Sequence, residues 1–444
     1  MHCVKFGMET LEDYLLRKNE ELELLNGHLD NRVKLWQPRS VDEVIEQKFH
    51  LAAALKAEHD LHDWALTETA WTHSRRPRSS TFEFRYDYQR ADLEVRGPSF
   101  YAFEELADAE TIYTASGMAA ISALLMAFRP TFGEADFITL PNAYGETAEL
   151  IDGHVGHLKR IEISASFDEI RARQGKRPRI LSFDSSVSSG IFEALLKCVR
   201  ARLDLIVFDT TCFSGESGRI RRVMSWAHRA AIPVVLLRSH TKLDSLGVEY
   251  GRLGSASFPN SRGISERNKT LVNRLSAETK NAVRLFGGAA IPAHFPPFVG
   301  NQTHRLLTSK RIGALLKNGK RMRRHFEQTL SVFAAEFHFA HGLYLTLASA
   351  QLDDEKAARE VVAEMCAELK GSGLPMRHAG SFGFDFAAAE WAQDRTRDRY
   401  VVRLTAADLP TPIWDEIVAA VAAWWDARES RSRYCHGKDT TRRQ

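Results

Sequence analysis

Residues 233–254 read PVVLLRSHTKLDSLGVEYGRLG. The Pro-led apolar run 233–237 has the length and β-branched content of a buried strand. It gives way at once to Arg238, Ser239, His240, Thr241 and Lys242, then to a loop punctuated by Gly247, Gly251 and Gly254. A lysine so placed stands at the carboxyl end of a sheet strand, where open α/β folds keep their ligands. A solvated lysine opening a loop reads the same way, and the neighbouring elements decide between the two.

Working outward, strands and helices alternate. Upstream, 179–183 and 203–208 are apolar runs ending on Asp184 and Asp209, and 136–140 is a short strand. Helical patterns cover 116–128, 145–155 and 219–230, and 100–109 reads as a short helix. This spacing implies βαβ crossovers and a mostly parallel sheet whose loops converge on one edge, giving a large domain over 100–295. The Pro-rich junction IPAHFPPFVGN at 291–301 marks its end. A basic helix over 302–333 follows, then strand 342–348, helix 353–369, strands 381–387 and 400–404 and helix 412–425, a small α+β domain over 296–430. Residues 431–444 have almost nothing to bury and read as a flexible tail.

Before the large domain, residues 1–99 form a helical arm and an extended segment. Helical patterns cover 8–28 and 40–66, the second opened by a Ser40–Glu43 capping-box signature. The arm is expected to pack on the main body or on a partner subunit. Residues 70–99 are polar, aromatic and arginine-rich and read as extended or irregular.

Composition removes several function classes. The chain has 444 residues, 44% of them hydrophobic, and a net charge of +3 from 60 Lys+Arg against 57 Asp+Glu, so no excess of positive charge points to nucleic acid or a membrane surface. Five scattered cysteines with no CxxC spacing argue against a structural zinc site or disulfide scaffold and favour a reducing compartment. The N-terminus carries acidic residues where a signal peptide needs an apolar run. No uncharged apolar stretch reaches the ~18 residues of a membrane helix. A cytoplasmic protein is the expectation.

Four places in the large domain put polar groups at strand ends. Ser116-Gly117-Met118 opens a helix, whose unpaired N–H groups and dipole can hold a phosphate or serve as an ordinary N-cap. Tyr144, after strand 136–140, can stack on a planar ligand or plug an interface. Asp209 ends the run LDLIVF and needs a partner, whether a backbone cap, an arginine or a protonated ring nitrogen. Lys242 is the fourth, flanked by the hydroxyls of Ser239 and Thr241. In the small domain Arg403 lies in YVVRL, where its planar fork suits a carboxylate or simply faces water.

The order of these groups resembles pyridoxal-phosphate enzymes of fold type I, most closely the cysteine/methionine-metabolism group of cystathionine synthases, cystathionine lyases and methionine lyases. The resemblance covers about 84–405. SGMAAI at 116–121 looks like the phosphate-binding turn and helix, VFDTT at 207–211 like the strand and aspartate under the pyridine nitrogen, and SHTK at 239–242 like Ser-x-Thr-Lys. It implies an α/β fold with a mostly parallel seven-stranded sheet flanked by helices, plus the small C-terminal domain. It also implies pyridoxal 5′-phosphate held covalently by Lys242, with Asp209 at the ring nitrogen and Tyr144 stacked on the ring. Ser116, Gly117, Met118, Ser239 and Thr241 would bind the phosphate. Tyr88 and Arg90 would reach the phosphate of a neighbouring subunit's cofactor in a homodimer or homotetramer with shared active sites. Arg403 would grip the α-carboxylate of a small amino-acid substrate. The family's Tyr-x-x-Gly-His-Ser-Asp-like run after the lysine is replaced by LDSLGVEYGRLG, and its Glu-Thr-Pro-x-Asn-Pro by FDSSVSSG at 183–190, where Ser188 stands in for the missing asparagine.

The activity implied is γ- or β-elimination or replacement on an amino acid, on a specialised substrate such as a homoserine ester or a sulfonium amino acid. Transamination by the same fold, a non-catalytic regulatory role, and aldol cleavage or decarboxylation with the same cofactor residues are the alternatives.

Overall fold

The computed structural model describes residues 8–60, 74–75, 81–86, 93–97, 100–101, 103, 109–141, 143–163, 176–185, 187, 189–198, 202–248, 252–259, 265–285, 296–330, 342–349, 352–394 and 398–440. Contacts divide the chain into two compact units: Met1–Glu21, Leu35–Lys48 and Lys310–Gln444 in one, and Leu22–Lys34 with Phe49–Ser309 in the other.

The second unit is built on a seven-stranded sheet. Its strands are β4 (Glu110–Thr114), β5 (Ala135–Thr139), β6 (Leu158–Glu162), β7 (Arg179–Phe183), β8 (Leu205–Asp209), β9 (Val234–Ser239) and β10 (Gly254–Phe258), in the order β4-β10-β9-β8-β7-β5-β6. Strands β9, β8, β7, β5 and β6 are parallel, and β10 runs antiparallel to both of its neighbours. Strands β7, β8 and β9 are buried along nearly their whole length, as a parallel sheet covered on both faces requires. Helix α3 (Gly117–Phe132) supplies one cover, burying Ala120, Ile121, Leu124, Leu125 and Phe128 in a core shared with Val207, Val235, Leu237 and Ala256. Each of the larger side chains contributes on the order of 1.5–3 kcal/mol on leaving water. Ahead of this sheet, β1 (Ser74–Arg75), β2 (Glu83–Tyr86) and β3 (Leu93–Arg96) pair antiparallel in a region expected to be extended or irregular.

The first unit joins the N-terminal helices to the C-terminal sheet. Helix α1 (Leu11–Gly27) and helix α2 (Val41–Asp60) contribute Tyr14, Val41 and Val44 to a core with Phe326, Leu345, Val402 and Trp414. At α2 the Ser40 hydroxyl accepts the Glu43 N–H at 3.2 Å, while the Glu43 carboxylate takes the N–H of Arg39 at 2.8 Å, one residue before the expected box. The sheet has the order β11-β14-β13-β12, from β11 (Tyr344–Ala348), β12 (Met376–His378), β13 (Ala387–Asp394) and β14 (Arg399–Thr405).

Buried beside this core is a cluster of opposite charges. Lys18 Nζ lies 2.5 Å from Asp385 Oδ1 and 2.5 Å from Asp408 Oδ2, and 3.2 Å from Glu21. Arg311 reaches Asp385 at 2.7 Å, Glu21 at 3.0 Å and Asp408 at 3.1 Å. Lys48 meets Asp385 at 2.7 Å and also touches Glu21. Arg17 bridges Asp408 at 2.7 Å and Glu9 at 2.9 Å. Four cations thus face four carboxylates, and Lys18, Glu21 and Asp408 are wholly buried. Burial alone would raise the carboxyls of Glu21, Asp385 and Asp408, but the surrounding cations hold all three below their usual range.

Three expectations are corrected here. Residues 254–258 form the antiparallel strand β10, not the tail of a loop; GSASF lacks the β-branched residues that advertise a strand, and its small side chains fit a fully buried position. The strand expected at 381–387 begins at Ala387, because Asp385 before it is held in the ion cluster. The C-terminal helix α4 (Thr411–Thr440) runs well beyond 425.

Candidate active site

The loops at the carboxyl edge of the seven-stranded sheet bring the large-domain candidates together. Gly254 of β10 pairs with Thr114 on one side and Ser239 on the other, so the turn after β4 and the end of β9 lie side by side. The approach is close enough to exclude a side chain at two points. A Cβ on Gly254 would sit 2.1 Å from the Ser116 carbonyl oxygen, and one on Gly117 would sit 2.8 Å from Ser239 Cβ. Ser116 caps α3, its hydroxyl accepting the Ala119 N–H at 3.0 Å, while Thr114 donates to the Ser116 carbonyl at 2.8 Å. The N–H groups of Gly117 and Met118 have no partner inside the helix and carry its positive dipole end. Facing this turn, the Ser239 and Thr241 hydroxyls lie 3.0 Å apart. The result is a small cradle of donors of the kind that holds a phosphate ester.

Asp209 ends β8 one strand away. Its carboxylate accepts the Thr211 N–H at 2.8 Å, and the Thr211 hydroxyl in turn accepts the Ser239 N–H at 2.9 Å, linking the two strand ends. Withdrawal from water raises the Asp209 carboxyl above its ordinary range, against the Thr211 bonds and the nearby Lys242 charge. Lys242 is half-buried, with Nζ 5.8 Å from the centroid of the Tyr144 ring. The backbone N–H of Tyr144 donates to Asp184 Oδ2 at 2.7 Å, which fixes the turn on which the ring stands. Beside these residues is a small pocket lined by Tyr144, Asp184, Asp209, Thr139, Thr147 and Ser182 among others. Thr139 Oγ1 is buried in that wall with no hydrogen-bond partner among the described residues.

Asp184 and Thr211 were not singled out from sequence, although Asp184 carries the same signal as Asp209, a carboxylate closing a buried apolar run. Cys212 also lies among these groups; burial pushes its thiol up to about 12, against a bond from Ser185 and the charge of Lys242. Tyr88, Arg90 and Ser188 lie outside the described residues. Arg403 is in the other unit, on β14, opposite Glu390 of β13. Its Nε donates to Glu390 Oε1 at 2.8 Å, Nη2 contacts the same oxygen, and the guanidinium lies 4.9 Å from the Tyr344 ring centroid.

No family model matches the sequence, and no curated protein matches it. Solved structures do. A protein described as an O-acetylhomoserine (thiol)-lyase from Campylobacter jejuni, with N′-pyridoxyl-lysine-5′-monophosphate, superposes with a TM-score of 0.51 at 14% identity, over 71% of this chain and 81% of its own. Cystathionine gamma synthase from Xanthomonas oryzae, in complex with cystathionine, superposes with a TM-score of 0.51 at 16% identity, over 73% of this chain and 84% of its own. At these identities the likeness is one of fold. The α/β architecture expected from the motifs, a seven-stranded mostly parallel sheet with a smaller α+β region, is the one observed. No described helix is long and apolar enough to cross a membrane.

Proposed function

We propose that this chain is a pyridoxal 5′-phosphate-dependent enzyme acting on an α-amino acid by elimination or replacement at the γ or β carbon. The observation that carries the reading is the convergence, on one sheet edge, of a lysine, a carboxylate and a donor cradle, with an aromatic ring beside them. The residues fit the group by their chemistry. The cradle of Ser116, Gly117, Met118, Ser239 and Thr241 suits a dianionic phosphate, and the close approaches at Gly117 to Ser239 and at Gly254 to Ser116 support the reading by bringing its sides together. Asp209 suits a protonated ring nitrogen, Tyr144 a planar ring, and the unpaired Thr139 hydroxyl a polar substituent or a bridging water.

The cofactor, when bound through the Lys242 amine, supplies an electron sink for charge developing at the substrate Cα. The chain's own residues do the rest. Asp209 would pair with the protonated ring nitrogen, and Thr211 fixes the carboxylate that would do so. Lys242 would hold the cofactor, and its free amine would be the base that takes a proton from the substrate Cα and returns one during loss of a leaving group. Tyr144, held by Asp184, closes one side against water. Arg403 as α-carboxylate receptor would have to exchange Glu390 for the substrate. Tyr88 and Arg90 would complete the site across a homodimer or tetramer interface, and a small amino acid such as a homoserine ester or a sulfonium amino acid is the proposed substrate.

The test is reduction of the cofactor-loaded protein with borohydride and peptide mapping. The proposal expects a pyridoxyl group on Lys242 and loss of the visible chromophore in Lys242→Ala. A chromophore surviving that substitution, or an adduct on another lysine, would overturn it. A screen of amino acids with different γ leaving groups, with products identified by mass, then separates elimination, which frees the substituent and ammonia, from transamination, which would leave the substituent on the oxoacid and convert the cofactor to its amine.

A further inference from the structure

The segment carrying Lys242 has an irregular backbone. Lys242 itself sits at φ −99°, ψ −98°, and Leu246 at φ +55°. Such a segment keeps one geometry only when its surroundings over-determine it, and here the surroundings are buried and polar. Asp244 is wholly buried and accepts Nε and Nη2 of Arg238, each at 2.7 Å, in a bidentate pair. It also accepts Nδ1 of His240 at 2.8 Å. A carboxylate can only accept, and burial lowers the His240 pKa, so the ring is neutral with its proton on Nδ1, and its Nε2 accepts the Ser255 hydroxyl at 2.8 Å. The Asp244 carbonyl is taken by His304 Nε2 at 2.8 Å. His304 Nδ1 accepts the Gly300 N–H at 3.2 Å, and burial lowers this imidazole to about 4, which fixes the opposite tautomer. Nothing in this network is needed to hold a phosphate or a ring.

Arg238 does more than close its own loop. Its remaining nitrogen, Nη1, donates to the carbonyls of Thr210 at 2.6 Å and Phe213 at 2.7 Å, and the guanidinium stacks on Phe100 at 3.7 Å from the ring centroid. Thr210 directly follows Asp209, and Asp244 lies two residues after Lys242. One buried guanidinium therefore ties the segment behind the carboxylate to the segment around the lysine. The fork is what makes this possible, since a lysine could not serve both directions in plane.

We propose that Arg238, through Asp244, is a positioning residue that sets Lys242 and Asp209 in one register at the sheet edge. The roles it coordinates rest on the function proposed above; the clamp itself does not. The test uses the full chain with two readouts. Amide hydrogen exchange without cofactor is compared between wild type and Arg238→Lys. The expected result is a rise of about tenfold or more, the equivalent of one lost charge-assisted bond, in 210–213 and 240–246 together, with the Arg179–Phe183 strand unchanged. Pyridoxal phosphate is then added, and the borohydride-trapped adduct on Lys242 and the induced circular dichroism of the chromophore are measured. Both are expected to fall in the variant while its thermal unfolding remains cooperative. Should Arg238→Lys not fold, Asp244→Asn, which keeps the side-chain volume, must give the same paired release. Exchange rising in 240–246 alone, or an unchanged adduct yield and dichroism in a variant that exchanges faster, would overturn the proposal. A wild type that forms no adduct on Lys242, with both segments still released together in the variant, would refute the cofactor reading and support the clamp.

Discussion

Lys18→Met isolates the energetics of the buried ion cluster. Methionine nearly matches the lysine stem in length and is at home in a core, so the substitution removes charge with little change in packing. In the wild type Lys18 Nζ contacts Asp385 and Asp408 at 2.5 Å each and Glu21 at 3.2 Å. Without it four carboxylates face three cations, and a surplus negative charge stays buried even though Arg311 still contacts Asp385 at 2.7 Å and Asp408 at 3.1 Å. Breaking a buried pair in this way costs about 3–5 kcal/mol, a large share of the stability of an ordinary domain. The assay is urea unfolding monitored by tryptophan fluorescence, since Trp414 is packed in the same unit. The double variant Lys18→Met, Asp408→Asn restores neutrality, and its cost should fall below the sum of the two single costs by about 1 kcal/mol or more. A single-variant loss under about 1 kcal/mol, or strict additivity in the double, would show that the cluster is solvated in solution and that the contacts carry no net energy.

Three further outcomes follow from the same geometry. Asp209→Asn should leave pyridoxal phosphate affinity nearly intact yet lower turnover on the order of a hundredfold; unchanged turnover would reduce Asp209 to a structural cap. Gly117→Ala drives a Cβ to 2.8 Å from Ser239 Cβ and 3.3 Å from its Cα, so a backbone shift costing about 1–3 kcal/mol should weaken cofactor binding in a fluorescence titration, and wild-type affinity would refute the cradle. Glu21, Asp385 and Asp408 are held below their unfolded values, so the stability they add is complete above the ordinary carboxylate range of ~4 and drains as pH falls through the lowered values. Thermal midpoints should drop steeply in that acid window, and less steeply in Lys18→Met; equal slopes would count against the cluster as their cause.

The sheet edge was readable because its signals are local. LIVFD and VVLLRS are apolar runs that end on the polar groups they position, and SGM precedes an apolar helical face, so strand, turn and chemistry occupy adjacent residues. What escaped was non-local. Lys18, Glu21 and Lys48 sit on helices that look like solvated arms, because the charges that bury them lie more than two hundred residues away in Arg311, Asp385 and Asp408. β10 escaped for the opposite reason: Gly, Ser and Ala are chosen there by crowding from Ser116 and the flanking strands, and small residues in a strand resemble those of a turn. Arg403 was legible as a charged residue in an apolar strand, but its engagement with Glu390 depends on register across β13 and β14, which only the sheet reveals.

The composition of the ion cluster also bears on the order in which the chain can assemble during synthesis. Lys18 and Lys48 leave the ribosome 367 and 337 residues ahead of Asp385. Domains made early usually fold early, yet here the opening helices must wait, hydrated, until the intervening unit has been made and the final sheet arrives to take them in. Their charges keep them soluble through that delay. The entropic cost of joining such distant segments grows only slowly with loop length, but their meeting should be the slow step. A chain shortened from the front would then present Arg311, Asp385 and Asp408 to an interior with too few partners, so the first helix works as the late-closing end of the fold and not as a removable extension.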